Sequence, residues 1–230
     1  MAISKAISRL VDHYRRNGFW ATIRRAGLAV KRSLFSSSSV LFYCDLDMKV
    51  ESLPDLPSFL KVERKKSSAE ISSEDLREMT SFWNPKLAHK NMKERFGLRA
   101  SLWLIKSHDK LAGYGWTLQG GTVEPHFFPL GQDDVHLFDF HVFPNYRGQG
   151  MNPVLVTHIL RSMANEGAGR AFIEAAEWNQ PQLSSLTRTP FHRLGVAKKL
   201  TIFGHPHVWW TENESLRQIA SGEKKRKGKG

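Results

Sequence analysis

The sequence predicts a mixed α/β domain, and three observations carry that reading. A strand-like apolar run at 135–143 leads into a glycine-bearing turn and then an amphipathic segment at 153–165. Two β-patterned stretches, 101–107 and 111–119, flank His108-Asp109-Lys110 as a hairpin. A further apolar run at 171–177 follows Gly167, so strand and helix signals alternate along the chain. Such alternation packs helices in layers on a sheet around one core.

The elements follow in order. Ile3, Ile7, Leu10, Val11 and Tyr14 recur at helical spacing among Lys5, Arg9, Arg15 and Arg16. After Asn17-Gly18, Phe19, Ile23, Ala26 and Val30 begin a second amphipathic segment, studded with Arg24, Arg25, Lys31 and Arg32. The four serines at 36–39 read as a flexible joint. Residues 59–70 read as a first strand, and Ser72-Ser73-Glu74-Asp75 as a helix start with acids near the positive end of the dipole. That helical region runs to about Arg95, interrupted at Pro85. The stretch 122–134 is a loop or short strand, 183–188 a short helix and 194–203 a late strand. His205-Pro-His207 reads as a surface turn without nearby metal-ligand spacing, so no metal site is expected. The expected division is a basic helical extension (1–44), one catalytic-looking domain (45–210) and a C-terminal segment with a disordered basic tail (211–230).

The chain has 230 residues and a formal charge of +12. Eight Lys/Arg against Asp12 give residues 1–44 a charge of +7, and five against Glu223 give 223–230 a charge of +4. Only +1 remains between them, so the basicity belongs to the ends, which argues against a nucleic-acid-binding domain. The basic N-terminal segments suit either an anionic membrane surface or packing on the domain. A single cysteine, Cys44, excludes an intramolecular disulfide and is compatible with a reducing cytoplasm. No apolar run approaches the roughly 20 residues that span a bilayer, and no secretory h-region is visible. The expected location is cytoplasmic, with residues 1–40 available for peripheral contact with the inner face of a membrane.

The most informative residues are Arg147, Gly148, Gln149, Gly150, Met151 and Asn152. Glycines let backbone approach a ligand closely. The first N–H groups of a helix lack intrahelical partners and attract anions. Arg147 adds a positive charge, so the loop suits a pyrophosphate. Asn152 reads as the helix N-cap, with Pro153 at the first helical position. Asp139 and His141 alternate onto one strand face. His141 titrates near neutrality and is the better candidate base. Asp139 is a candidate to orient it or hold an ammonium group, and Glu174 and Glu177 are further candidates.

Arg147-Gly-Gln-Gly-Met-Asn152 resembles the R/Q-x-x-G-x-G/A loop of the GCN5-related N-acetyltransferases, the GNAT superfamily. Val142-Phe-Pro144 resembles that family's V-x-P. Asn179, Leu186, Pro190-Phe191 and Gly195 resemble its N…L…G-F…G segment, and Lys110-Leu-Ala-Gly-Tyr-Gly-Trp116 its second-to-third strand hairpin. The resemblance covers roughly 58–204. It implies a mostly antiparallel, splayed sheet flanked by helices, with acetyl-CoA as cosubstrate and a primary amine as acceptor. It also implies that the backbone of His141 and Val142 bonds the pantetheine arm, with Asn179 assisting from the next strand; the alternative for Asn179 is a plain turn residue. Leu186 stands where many members carry a tyrosine acid, which leaves Ser184, Ser185 or water for that step. The N-terminal helices and Leu41-Phe-Tyr-Cys-Asp45 resemble extensions on members linked to polysaccharide or envelope biosynthesis, which implies an amino sugar as acceptor. The alternative is a noncatalytic acyl-CoA-binding or docking module that uses its basic ends on a membrane or anionic polymer. No motif specifies the acyl length or the oligomeric state.

Overall fold

The computed structural model describes residues 38–46, 55–81, 85–124, 126–202 and 205–212. The expected N-terminal helical pair and the C-terminal tail lie outside the described residues. The strands are β1 (Ser39–Asp45), β2 (Leu60–Lys65), β3 (Ser101–Ser107), β4 (Lys110–Gln119), β5 (Asp134–Val142), β6 (Arg170–Ala176), β7 (His192–Ile202) and β8 (His205–Glu212). The helices are α1 (Ser73–Ser81), α2 (Pro85–Gly97), α3 (Met151–Asn165) and α4 (Gln180–Leu186). One sheet holds all eight strands in the order β2-β3-β4-β5-β6-β1-β7-β8. Every neighbouring pair is antiparallel except β5–β6. This is the mixed, mostly antiparallel, splayed sheet flanked by helices.

Local chemistry explains most boundaries. Ser72 caps α1: its hydroxyl accepts from the Asp75 N–H at 3.0 Å and donates to the Asp75 carboxylate at 2.8 Å. Pro85 sits at the first position of α2, where a missing N–H costs nothing. His108 (φ 48°) and Asp109 (φ 61°) take the left-handed backbone that a two-residue hairpin with right-handed strand twist requires. Helix α3 stops at Gly167 (φ 85°), and the Ala168 N–H returns to the Met163 carbonyl at 3.0 Å.

Two cores sandwich the sheet. On one face α3 buries Leu155, Val156, Ile159 and Leu160 against Val40, Phe42, Leu137 and Ile173. On the other, α1 and α2 bring Met79 and Met92 onto Leu102, Leu104 and Trp116. Farther along that face Phe127, with Phe128, covers Leu41, Leu194 and Ala197. Strand β1 contributes to both faces: Val40, Phe42 and Cys44 join the core under α3, while Leu41 joins the Phe127 cluster on the opposite side.

The placement of β1 corrects the sequence reading. Ser39 is not part of a joint, and residues 39–45 do not belong to an extension ahead of the domain. They pair with β6 on one side and β7 on the other. The expected cut between 44 and 45 therefore falls inside a central strand. His205-Pro-His207 is likewise no turn but the start of β8, an edge strand, where proline is tolerated. No strand occurs among the described residues of 122–133.

Candidate active site

Strands β5 and β6 pair for only four residues, from Asp134↔Arg170 to Leu137↔Ile173. Arg170 closes that end with a two-pronged ion pair to buried Asp134, at 2.9 and 3.0 Å. Beyond Leu137 the strands separate, although β5 continues to Val142 and β6 to Ala176. On the β6 side, residues 138–142 thus border a gap, while their other edge stays paired with β4.

A bulge in β5 sets what faces that gap. Asp139 takes φ 51°, and the β4–β5 register shifts between Tyr114 and Trp116. Phe138 packs on the α1/α2 side, yet Phe140 and Val142 pack on the α3 side. Simple alternation would put all three on one face, so the extra residue reverses the phase of the strand. His141 is thereby stacked on Tyr114, with ring centroids 5.6 Å apart. Asp139 pairs with Arg95 of α2, whose guanidinium lies over Trp116. The two groups expected to share a face by alternation reach the α1/α2 side by way of the bulge.

The turn after β5 builds the second wall. Gly148 (φ 77°) and Gly150 (φ 76°) are left-handed, and a Cβ on either would meet nothing within 4 Å. The backbone therefore offers an open concave face that ligand atoms can approach. Gly150, and not Asn152, is the N-cap of α3. Helix α3 begins two residues earlier than the Asn-Pro signal suggests, because the left-handed glycine already ends the turn. Pro153 becomes the third helical residue and removes one donor from the cradle. Asn152 turns away from capping: its Nδ2 donates to Ser185 Oγ at 2.7 Å and to Gln182 Oε1 at 3.3 Å, joining α3 to α4.

These pieces enclose a cleft of ≈ 290 Å³. Of the expected residues, His141, Val142, Arg147, Gly148, Gly150, Met151, Asn152 and Asn179 line it. Ser185 lines it as well, whereas Ser184 is exposed. Gln149 does not line it; its side chain donates back to the Asn145 carbonyl at 2.9 Å. Arg147 is committed in part, since its Nε donates to the Val142 carbonyl at 3.1 Å. That carbonyl retains a second lone pair. Asn179 serves as the N-cap of α4, its Oδ1 accepting from the Gln182 N–H at 3.4 Å. Leu186 is fully buried in the core under α3 and offers no proton to the cleft.

Burial lowers the His141 imidazole below its ordinary 6.5, and Arg147 lowers it further against a partial offset from Asp139. The ring is therefore neutral at physiological pH. Glu174 is elsewhere: its carboxylate meets His136 Nε2 at 2.8 Å on the face opposite α3. Burial alone would raise that carboxyl, but the His136 hydrogen bond and the charges of His136, His126 and Lys199 outweigh it and leave it below its usual range. Glu177 is exposed just past β6. His126, His136 and Glu174 place one ligand atom each within 4.8 Å of one another. Their sequence spacing resembles no metal motif; only the fold brings them together.

A split parallel strand pair, a left-handed glycine turn and a helix N-terminus thus meet at one cleft. A family model described as the acetyltransferase (GNAT) family matches residues 68–195, and the chain belongs to that family. Its members use acetyl-CoA as cosubstrate. No curated protein sequence matches. Among solved structures, a GNAT-family acetyltransferase from Colwellia psychrerythraea is 10% identical, with 77% of this chain and 56% of that one covered and a TM-score of 0.50. A second, from Novosphingobium aromaticivorans, is 15% identical over 68% and 60% of the two chains, with a TM-score of 0.44. The ribosomal-protein-S18-alanine N-acetyltransferase of Escherichia coli is 17% identical over 56% and 74%, with a TM-score of 0.40. At such identities the likeness is one of fold. The chain spans between 54% and 64% of the first four solved structures it matches.

Proposed function

We propose that this protein transfers the acetyl group of acetyl-CoA to a primary amine of a small molecule. The observation that carries the reading is the continuity of one cleft, from the glycine cradle at 148–152 to His141 beside the open stretch of β5. The cradle suits the diphosphate, through the free N–H groups of the first turn of α3 and the charge of Arg147. When bound, acetyl-CoA supplies the thioester. His141, held neutral, takes the proton that the amine loses as the amide forms. Asp139, steadied by Arg95, supplies negative charge near that proton. Ser185 Oγ, which accepts from Asn152, keeps its own proton to donate toward the departing thiolate.

An amino sugar is the proposed acceptor, on the resemblance of the N-terminal region to polysaccharide-associated members. Acetyl-CoA with a panel of amino sugars, small amines and peptides, followed by released thiol, tests this. The assay is clean because Cys44 is buried, with its thiol pushed up to about 11 by burial and Asp45. Turnover on no amine, with intact acetyl-CoA binding, would leave only the docking-module reading.

Replacing Gly150 with Val puts a β-branched residue at φ 76°, a strained backbone for any side chain but glycine. It also fills the open face of the cradle. Acetyl-CoA affinity is expected to fall tenfold or more, about 1.4 kcal/mol. Unchanged calorimetric affinity in a folded variant would remove the cradle from the site.

No helix among the described residues is long and apolar enough to cross a membrane. We place the protein in the cytoplasm, with residues 1–37 as a peripheral contact for anionic lipid. Each basic residue near such a surface contributes about 1 kcal/mol, and salt screens it. Full-length protein should co-sediment with anionic vesicles at low salt and release at high salt. A chain beginning at residue 38 should not sediment; if it does, the contact lies in the domain.

A further inference from the structure

We infer that His126, His136 and Glu174 form a binding site for one divalent transition-metal ion of the zinc type, with three protein ligands and a fourth position open. The site is separate from the cofactor cleft and its test does not depend on acetyl transfer. The three residues come from different parts of the fold: His126 from the segment between β4 and β5, His136 from β5 and Glu174 from β6. Their potential ligand atoms all lie within 4.8 Å of one another. His136 Nε2 and Glu174 Oε2 are already 2.8 Å apart.

The second observation is unsatisfied polarity. His126 and His136 are 8% and 6% exposed, and His126 Nε2 and His136 Nδ1 have no hydrogen-bond partner. A buried polar nitrogen without a partner forfeits the hydrogen bond it makes to water in the unfolded chain. Two such nitrogens on neighbouring rings, beside the half-buried Glu174 carboxylate, form a polar cluster that the described side chains do not satisfy. A cation among the three side chains takes one lone pair from each imidazole and neutralises the carboxylate.

The donor set suits zinc. Two imidazoles and a carboxylate with one free position are a ligand set Zn²⁺ takes at open sites. At 2.0–2.1 Å bonds, tetrahedral ligand atoms stand about 3.3 Å apart, so the widest separations here need to close by about 1.5 Å at most and the His136–Glu174 pair to open by about 0.5 Å. Side-chain rotation on three elements supplies that. The ion would have an approach: His126 is in the wall of a cavity of ≈ 450 Å³ that Phe127, Phe128 and Leu130 also line. Position gives the site a consequence. Glu174 is the first β6 residue beyond the last β5–β6 pair, Leu137↔Ile173. An ion there clips the 126–130 segment to the root of the strand split and faces its open position away from α3.

Full-length protein stripped with a chelator and dialysed is titrated with Zn²⁺ by calorimetry, and with Co²⁺ by visible absorbance. The expected result is one tight equivalent of Zn²⁺ and a four-coordinate cobalt spectrum. His126→Ala and Glu174→Gln should each weaken that equivalent tenfold or more, while His207→Ala, an exposed histidine on β8, leaves it unchanged. Glu174→Gln keeps the side-chain shape and remains informative should His126→Ala not fold. Absence of a stoichiometric equivalent in the native chain, or equal affinity in both site variants, overturns the assignment and leaves a hydrogen-bonded triad with water.

Discussion

A chain that starts at residue 46 is expected not to fold. It loses β1, which buries Val40, Leu41, Phe42 and Cys44 and pairs along both edges. Burying Val, Leu and Phe side chains contributes about 1.5–3 kcal/mol each, so roughly 5–9 kcal/mol disappears. That approaches the 5–15 kcal/mol or so that holds a typical domain together. The cut also leaves facing edges of β6 and β7 bare, which invites association between chains. A chain starting at residue 38 keeps the strand. Circular dichroism and thermal melting of the two chains provide the check. A cooperative melt of the 46–230 chain within a few degrees of the longer one would show that β1 is dispensable.

His141→Ala is expected to lower turnover by about 10²–10⁴-fold while acetyl-CoA affinity changes little, because a base acts in the chemical step. The pH profile follows from the direction of the shift. Burial and Arg147 hold the folded imidazole below 6.5, so the proton-accepting form persists from alkaline pH down past that value. The rate should be flat through neutrality and fall only as acid protonates the ring. In the alanine variant this acid limb should vanish along with most of the rate. Full turnover of the variant between pH 6 and 9 would pass the role to Asp139 or to water, since Glu174 is held by His136 on the far face.

Much of this was legible in the residues. The β3–β4 hairpin, the interruption at Pro85 and the order strand, glycine turn, helix at 134–165 all carry local signals, and all are present. The missed features share one property: their causes are distant in sequence. Ser39–Asp45 looks like the end of a basic tail because its partners, 170–176 and 192–197, lie more than a hundred residues away. The bulge at Asp139 hides inside an apolar run, where a one-residue phase change leaves no compositional trace. At the start of α3 two local signals compete, and the left-handed Gly150 prevails over Asn152-Pro153 because Asn152 has a better partner in Ser185. His126, His136 and Glu174 follow no spacing rule, since only the fold of three elements brings them together.

The position of β1 also imposes a timetable on synthesis. Its two neighbours are complete only when residue 197 has been made, about 150 residues after the strand itself. At translation rates of about 5–20 residues per second, the segment waits roughly 8–30 s before both partners exist. An apolar strand is therefore among the first parts of the domain to reach the solvent and among the last to be covered. Pairings so remote slow folding relative to local ones. In the growing chain, then, the hairpin and the turn into α3 can take shape early, and the clasp of β1 between β6 and β7 closes the sheet.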